Sequence, residues 1–237
     1  MFDTIIIGSS GGAGDPDAAA LAELLTGTGG STTPVRVPDG QPVGRGLHDA
    51  ATEYGADLIV VASSGRGLIG RIFAGDDVAA TLRSAPCPVA IAPRGFAAEQ
   101  RAIGRIGVGY DGSPQAQAAL DAARRLAADS GAEVHALGVS TPPQGLVAPL
   151  GVSAIAAIEA RRERTERFIA ALGPDVQGNV VDGIAHERLA ELAGEVDLLI
   201  VGSSARGTVG RVLLGSTSET RSRQAACPLL VVAAPAA

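Results

Sequence analysis

The chain reads DLIVVASSGRG at residues 57–67 and DLLIVGSSARG at residues 197–207, so one segment occurs twice, 140 positions apart. The same separation continues downstream, where the pair Cys87-Pro88 returns as Cys227-Pro228. A constant separation that is kept without a gap indicates that the chain arose by duplication. We therefore expect two copies of one fold in tandem.

The starts of the two copies are related by a different separation. Residues 4–7 (TIII) resemble residues 105–108 (RIGV), which lie 101 positions later, so the first copy is 39 residues shorter than the second. Proline, glycine and charged residues interrupt the apolar pattern at 93–101, which predicts a boundary there. We assign a shortened domain to 1–97 and a complete domain to 101–237.

The second copy alternates short apolar runs with amphipathic segments. The pattern predicts strands at 106–110, 134–139, 176–181, 198–201 and 228–232, separated by helices. This alternation is typical of a parallel sheet with helices on both faces. The predicted fold class is α/β, with two doubly wound, Rossmann-like domains in tandem. Ligands of such sheets bind at the carboxyl ends of the strands, where the strand order reverses.

The first copy has a predicted strand at 4–7 and a predicted helix at 15–25. Residues 26–34 are rich in glycine and threonine, and we interpret them as a loop. The second strand and the long second helix are then missing from this copy. We expect one edge of its sheet to be bare or covered by a loop.

Composition excludes several classes of function. All 19 basic residues are arginine, which excludes Schiff-base chemistry and a P-loop lysine. The net charge of −6 disfavours general nucleic-acid binding, and two cysteines do not make a disulfide framework. The N-terminus lacks a basic signal region, and the apolar runs are shorter than the ~20 residues of a membrane span. We expect a cytoplasmic protein without a membrane partner.

Several motif matches are weak. Residues 8–12 (GSSGG) fit the nucleophile elbow but come too early in the chain, and we interpret them as a glycine-rich loop. Residues 65–70 (GRGLIG) fit the dinucleotide fingerprint, yet 88–92 lack the acidic residue that would hold a ribose. The three histidines are scattered, so no metal site is predicted, and both cysteines are predicted to be small buried residues.

A stronger pattern lies in the second copy. Gly202 ends a strand, a glycine- and serine-rich loop follows at 203–210, and Gly215-Ser216-Thr217 opens a helix. Backbone N–H groups in such a loop, together with a helix N-terminus, can bind phosphates. Asp111 follows the first strand at the same edge of the sheet and can accept hydrogen bonds from ribose hydroxyls. The alternative is that these glycines only shape turns.

These residues resemble the universal stress protein family, specifically its tandem-domain members, over nearly the whole chain. The family motif G-x2-G-x9-G-[S/T] reads here as Gly202-x2-Ala205-x9-Gly215-Ser216, and C-P-[V/L] follows it at 227–229. The resemblance implies the adenine nucleotide alpha hydrolase-like fold and ATP, with or without Mg²⁺, as cofactor. It also implies that Asp111 holds the ribose and that the Val139 backbone reads the adenine. The phosphate contacts that it implies are Gly202, Ser203, Ser204, Ala205, Arg206, Gly207, Gly215, Ser216 and Thr217.

The first copy departs from this motif. Ala62 replaces the first glycine, Asp76 replaces the phosphate-binding serine, and Ser10 stands where the aspartate is expected. We expect nucleotide binding to be weak or absent there. In the second copy, the methyl group of Ala205 is expected to weaken ATP binding.

The resemblance implies a regulatory or stress-response protein that binds ATP through its second domain. We expect no catalytic residues and at most weak ATP hydrolysis. A nucleotide-free interaction module and a slow ATPase remain as alternatives. The final strands, at 88–91 and 228–232, are expected to pair within the chain, because family members join two domains there. The trimmed first copy is expected to leave apolar surface where its second strand and long helix are missing. A second chain that covers this surface would form a homodimer, which we therefore expect as well.

Overall fold

The computed structural model describes residues 1–9, 15–38, 41–63, 81–82, 85–98, 102–141, 152–203 and 227–232, without the side chains of 152–155. Its strands are Phe2–Ser9 (β1), Thr26–Arg36 (β2), Leu58–Ala62 (β3), Val89–Ala92 (β4), Arg105–Gly109 (β5), Glu133–Ser140 (β6), Val176–Asp182 (β7), Leu198–Gly202 (β8) and Leu229–Val232 (β9). Its helices are Asp15–Leu25 (α1), Val43–Tyr54 (α2), Pro114–Ser130 (α3), Val152–Ala170 (α4) and Ala185–Leu192 (α5), and Phe96–Ala98 forms a 3₁₀ turn.

Within the described residues, nine strands form one sheet in the order β2-β1-β3-β4-β9-β8-β5-β6-β7. Neighbouring strands are parallel, except that β4 and β9 are antiparallel. In the second half of the chain, β5 is followed outward by β6 and β7. The chain then returns to the other side of β5 with β8 and β9. The predicted α/β fold with a doubly wound, mostly parallel sheet is therefore confirmed.

Apolar side chains cover both faces of the sheet. Ile5 and Ile7 pack against the face that carries α1 and α3, while Ile6 between them packs against the face that carries α2 and α5. All three side chains are buried. This two-sided burial explains why the central strands are continuous apolar runs rather than alternating ones.

The two halves meet at β4 and β9. Ala90 lies opposite Leu230 in this antiparallel pair, and both residues are fully buried. The prediction that the final strands pair within the chain is confirmed. Each of these short apolar strands would otherwise present an unpaired edge to solvent.

The structure corrects the prediction for residues 26–34. They are not a loop but belong to β2, which pairs in parallel with β1, Thr32 lying opposite Ile5 and Pro34 opposite Ile7. Threonine is β-branched and favours strands. Proline is tolerated because β2 is an edge strand, so one side of it needs no hydrogen bonds. The expectation that the first half lacks a second strand is wrong.

Among the described residues of the first half, counterparts of β7 and α4 are missing. Only residues 37–42 separate β2 from α2, whereas the second half places α4 and β7 between β6 and α5. The expectation of leftover apolar surface at this edge is also wrong, because β2 carries mainly threonine, serine and glycine. Among the described residues, the exposed large apolar side chains are Tyr54 and Ile184, and neither belongs to β2.

An aspartate performs the same structural role in both halves. The Asp57 carboxylate accepts hydrogen bonds from the backbone N–H groups of Asp3 (2.9 Å) and Thr4 (3.0 Å). The Asp197 carboxylate accepts them from Gly104 (2.9 Å) and Arg105 (2.8 Å). Each aspartate therefore joins the start of β3 or β8 to the start of the neighbouring β1 or β5. This role accounts for the aspartate at the head of the repeated segment.

Candidate functional site

The strand order of the second half reverses between β8 and β5, so the carboxyl ends of β8, β5 and β6 lie side by side. This is the position at which doubly wound sheets bind ligands. Gly202 ends β8 and Ser203 follows it, Asp111 comes two residues after β5, and Val139 is near the end of β6. The fold therefore gathers these four predicted site residues at one edge of the sheet.

The turn after β5 holds Asp111 next to the start of α3. The Ser113 backbone N–H donates a hydrogen bond to Oδ1 of the exposed Asp111 side chain (3.0 Å). Gly112 between them has a left-handed backbone with φ of 77°, which glycine adopts without strain. The Ser113 hydroxyl then caps α3 by accepting from the Ala116 N–H (3.1 Å). The carboxylate is thus presented to solvent beside a helix N-terminus.

The backbone of Val139 faces the neighbouring strand β5. The Tyr110 N–H donates to the carbonyl of Leu137 on one side of β6, and the Gly183 N–H donates to that of Ser140 on the other side. Backbone groups of successive residues alternate between the two sides of a strand. The N–H and C=O of Val139 therefore point towards β5, which ends at Gly109, and so into the space beyond that strand.

Gly202 has a packing role that the sequence analysis did not anticipate. A Cβ at this position would lie 2.6 Å from the carbonyl carbon of Gln115 and 2.7 Å from its oxygen. The first turn of α3 therefore crosses the end of β8 at a distance that only glycine allows. This close approach brings the N-terminus of α3, with its partial positive charge, to the end of β8.

The other predicted phosphate contacts lie outside the described residues, namely Ser204, Ala205, Arg206, Gly207, Gly215, Ser216 and Thr217. The same holds for Ser10 and Asp76 in the first half. Their assignment remains a prediction.

Two residues near this edge were missed in the sequence analysis. The guanidinium of Arg161 donates to the carbonyl of Thr141 just after β6 (3.0 Å), which brings a cation to the strand ends. The ring of Phe168 lies against Gly112, where an added Cβ would come within 2.6 Å of the ring. Both belong to α4, whose Arg/Glu-rich sequence indicates only a solvent-exposed helix face.

The cysteines and His48 make packing or hydrogen-bonding contacts within the fold. Cys87 and Cys227 are buried, as predicted, and burial raises the pKa of the Cys87 thiol to about 11. His48 contacts the carbonyl oxygen of Thr81 (2.8 Å). In the part of the chain that the structure describes, no three His, Cys, Asp or Glu residues could hold a metal ion together. No described helix is long and apolar enough to cross a membrane.

Comparison with known proteins gives consistent matches. The sequence model of the universal stress protein family matches residues 13–93 and again residues 102–233. A universal stress protein of Mycobacterium tuberculosis H37Rv is 30% identical over 203 residues, which are 80% of this chain and 68% of that protein. One from Mycolicibacterium smegmatis is 28% identical over 221 residues, or 90% and 72% of the two chains.

A solved structure supports the fold. The crystal structure of a universal stress protein from Archaeoglobus fulgidus aligns with 98% of this chain and 96% of its own, with a TM-score of 0.64 and 16% identity. The family match occurs in tandem and covers more than half of the sequence, in agreement with the duplicated fold. The chain therefore belongs to the universal stress protein family.

Proposed function

We propose that the second half binds an adenine nucleotide, ATP, at the carboxyl ends of β8, β5 and β6. The observation that carries this proposal is the position of the Val139 backbone, whose N–H and C=O point beyond β5. An adenine edge offers a donor and an acceptor that such a backbone can pair with. The exposed Asp111 carboxylate lies after the neighbouring strand and can accept hydrogen bonds from ribose hydroxyls.

The phosphates would then extend towards β8. The N-terminus of α3 lies against Gly202 there, and a helix N-terminus favours anions. The loop at 203–207 and the turn at 215–217 would supply further N–H and hydroxyl donors, as the family motif implies. Mg²⁺, where present, would be held mainly by the phosphates and water.

We further propose that this protein acts in a regulatory or stress response through its nucleotide-bound state, and not through hydrolysis of the nucleotide. The first half would have lost its own site, because Asp76 replaces the phosphate-binding serine and Ser10 the aspartate. A carboxylate in a phosphate site repels a triphosphate. The alternatives are a nucleotide-free interaction module and a slow ATPase.

Titration calorimetry with ATP tests the proposal. We expect at most one site per chain, and Asp111→Ala should weaken binding by roughly 1–3 kcal/mol through loss of charge-assisted hydrogen bonds. Asp49→Ala removes an exposed acidic side chain from α2 in the first half and should leave ATP affinity unchanged.

Each contrary result has a definite meaning. Two equivalent sites would show that the first half binds as well, and unchanged affinity in Asp111→Ala would place the ribose elsewhere. A chain that binds no ATP, and that releases no nucleotide for mass spectrometry when freshly purified and denatured, would favour the interaction module.

The homodimer is also part of this proposal, although the apolar edge that first suggested it is not present on β2. Light scattering at micromolar concentration should give about twice the chain mass of 23.6 kDa. A single species near 23.6 kDa would contradict the dimer and leave the pairing of β4 with β9 intact.

A further inference from the structure

One face of α4 packs on three glycines of the second half. A Cβ at Gly112 would lie 2.6 Å from the ring of Phe168, and one at Gly138 would lie 2.6 Å from Cγ2 of Thr165. A Cβ at Gly178 would clash with Cγ2 of Ile169. Positions 165, 168 and 169 share one helix face. The C-terminal half of α4 therefore packs directly on the turn after β5 and on strands β6 and β7.

Only one of these contacts reaches the turn that carries Asp111. The Phe168 ring lies against Gly112, which is the middle residue between Asp111 and the Ser113 N–H that holds its carboxylate. The guanidinium of Arg164, one helical turn earlier, lies 5.3 Å from the centre of the same ring. The ring is therefore in contact both with its own helix and with the turn.

We propose that Phe168 is a positioning residue for Asp111, so that the packing of α4 determines how well the site holds a ribose. This inference rests on the proposed nucleotide site. Gly112 is free of side-chain restraint and would otherwise allow the turn many conformations. The Phe168 ring keeps the backbone at Gly112 in its left-handed conformation. The Ser113 N–H then remains in place to hold the Asp111 carboxylate.

The first half supports the proposed link between α4 and the Asp111 carboxylate. Only residues 37–42 separate β2 from α2, which leaves no room there for a counterpart of α4, and Ser10 stands where the aspartate is expected. The helix and the carboxylate that it would position are thus missing together, along with a counterpart of β7.

The test is a double-mutant cycle measured by calorimetry with ATP and with 2′,3′-dideoxyATP, which lacks both ribose hydroxyls. Phe168→Ala should weaken ATP binding roughly three- to tenfold, as expected when a hydrogen bond is lost, and should leave dideoxyATP binding nearly unchanged. In an Asp111→Ala background, Phe168→Ala should cause no further weakening. Ile169→Ala is the matched control, since Ile169 packs on Gly138 and Gly178, whereas the three atoms nearest to a Cβ at Gly112 all belong to Phe168.

Equal weakening of both nucleotides by Phe168→Ala would overturn the proposal, as would no weakening of either. Additive effects of Phe168→Ala and Asp111→Ala would also overturn it, because the two residues would then act independently. The same ATP-specific loss in Ile169→Ala would mean that any damage to α4 suffices, and would overturn the specific role of Phe168.

A second measurement does not depend on nucleotide. Hydrogen exchange at the Ser113 amide, which donates to Asp111 Oδ1, should become faster in Phe168→Ala and stay unchanged in Ile169→Ala. Unchanged exchange at Ser113 in folded Phe168→Ala would overturn the positioning role. If the wild-type chain binds no ATP, the proposed function fails, and this amide still decides whether Phe168 orders the turn.

Discussion

At the end of β8, Gly202 lies against the first turn of α3, so the first glycine of the family motif has a packing role in this chain. Gly202→Ala would place its methyl group within 2.6 Å of the carbonyl carbon of Gln115, and backbone atoms there must shift. We expect a loss of about 1–3 kcal/mol in the free energy of unfolding, which is the usual cost of overpacking. Chemical denaturation measures this loss.

Gly104→Ala is the matched control for Gly202→Ala. Its methyl group would lie 3.4 Å from the Asp197 carboxylate, which is an ordinary contact distance. If Gly202→Ala were as stable as the wild type, the close approach of β8 to α3 would not exist in solution.

At the scale of elements, the carboxylates of Asp57 and Asp197 join neighbouring strands at their starts. Asp197→Ala removes two hydrogen bonds to backbone N–H groups that water can partly replace. We expect a loss of roughly 1–2 kcal/mol in the free energy of unfolding. Asp57→Ala should cost a similar amount, because the first half contains the same arrangement. The measurement is the urea unfolding midpoint.

Asp49→Ala is the control for a general effect of removing a surface charge. Asp49 is exposed on α2, so this variant should unfold at the wild-type midpoint. Were Asp197→Ala to match Asp49→Ala, the repeated aspartate would contribute nothing to stability, and its occurrence in both halves would lack a structural explanation.

At the scale of the whole molecule, β4 and β9 join the two halves into one sheet. Leu230 is fully buried and lies between Ala90 of β4 and Ile200 of β8. Leu230→Arg would bury an unpaired charge at this junction, so we expect the chain to lose its fold rather than to separate into two folded halves. Circular dichroism and sedimentation velocity distinguish these outcomes.

The control for this substitution is Gln177→Arg, which places the same side chain at an exposed position on β7 and should fold normally. A cooperatively folded Leu230→Arg chain with native sedimentation would mean that the β4–β9 pairing is not required for the fold.

Much of the candidate site could be placed from local sequence. Gly202 ends the short apolar strand β8 and Asp111 follows β5 by two residues, and parallel strands bring their carboxyl ends to one edge. The role of Phe168 could not be predicted in this way, because it depends on where α4 packs against the sheet. The glycines on which α4 packs lie in β6, in β7 and in the turn after β5. Only the tertiary structure shows that they form one surface.

The amino-acid sequence by itself determined the duplication, the α/β class, the apolar strands and their alternation with helices, because these follow from residue periodicity and from the repeat. Only the tertiary structure decided that 26–36 is a strand. Its glycines, threonines and proline resemble a loop locally, and hydrogen bonds to the distant β1 make it extended. Only the tertiary structure likewise decided the packing role of Gly202, because its sequence position shows the end of a strand but not the contact with α3. Local pattern specifies elements, whereas edge strands and close approaches depend on non-local partners.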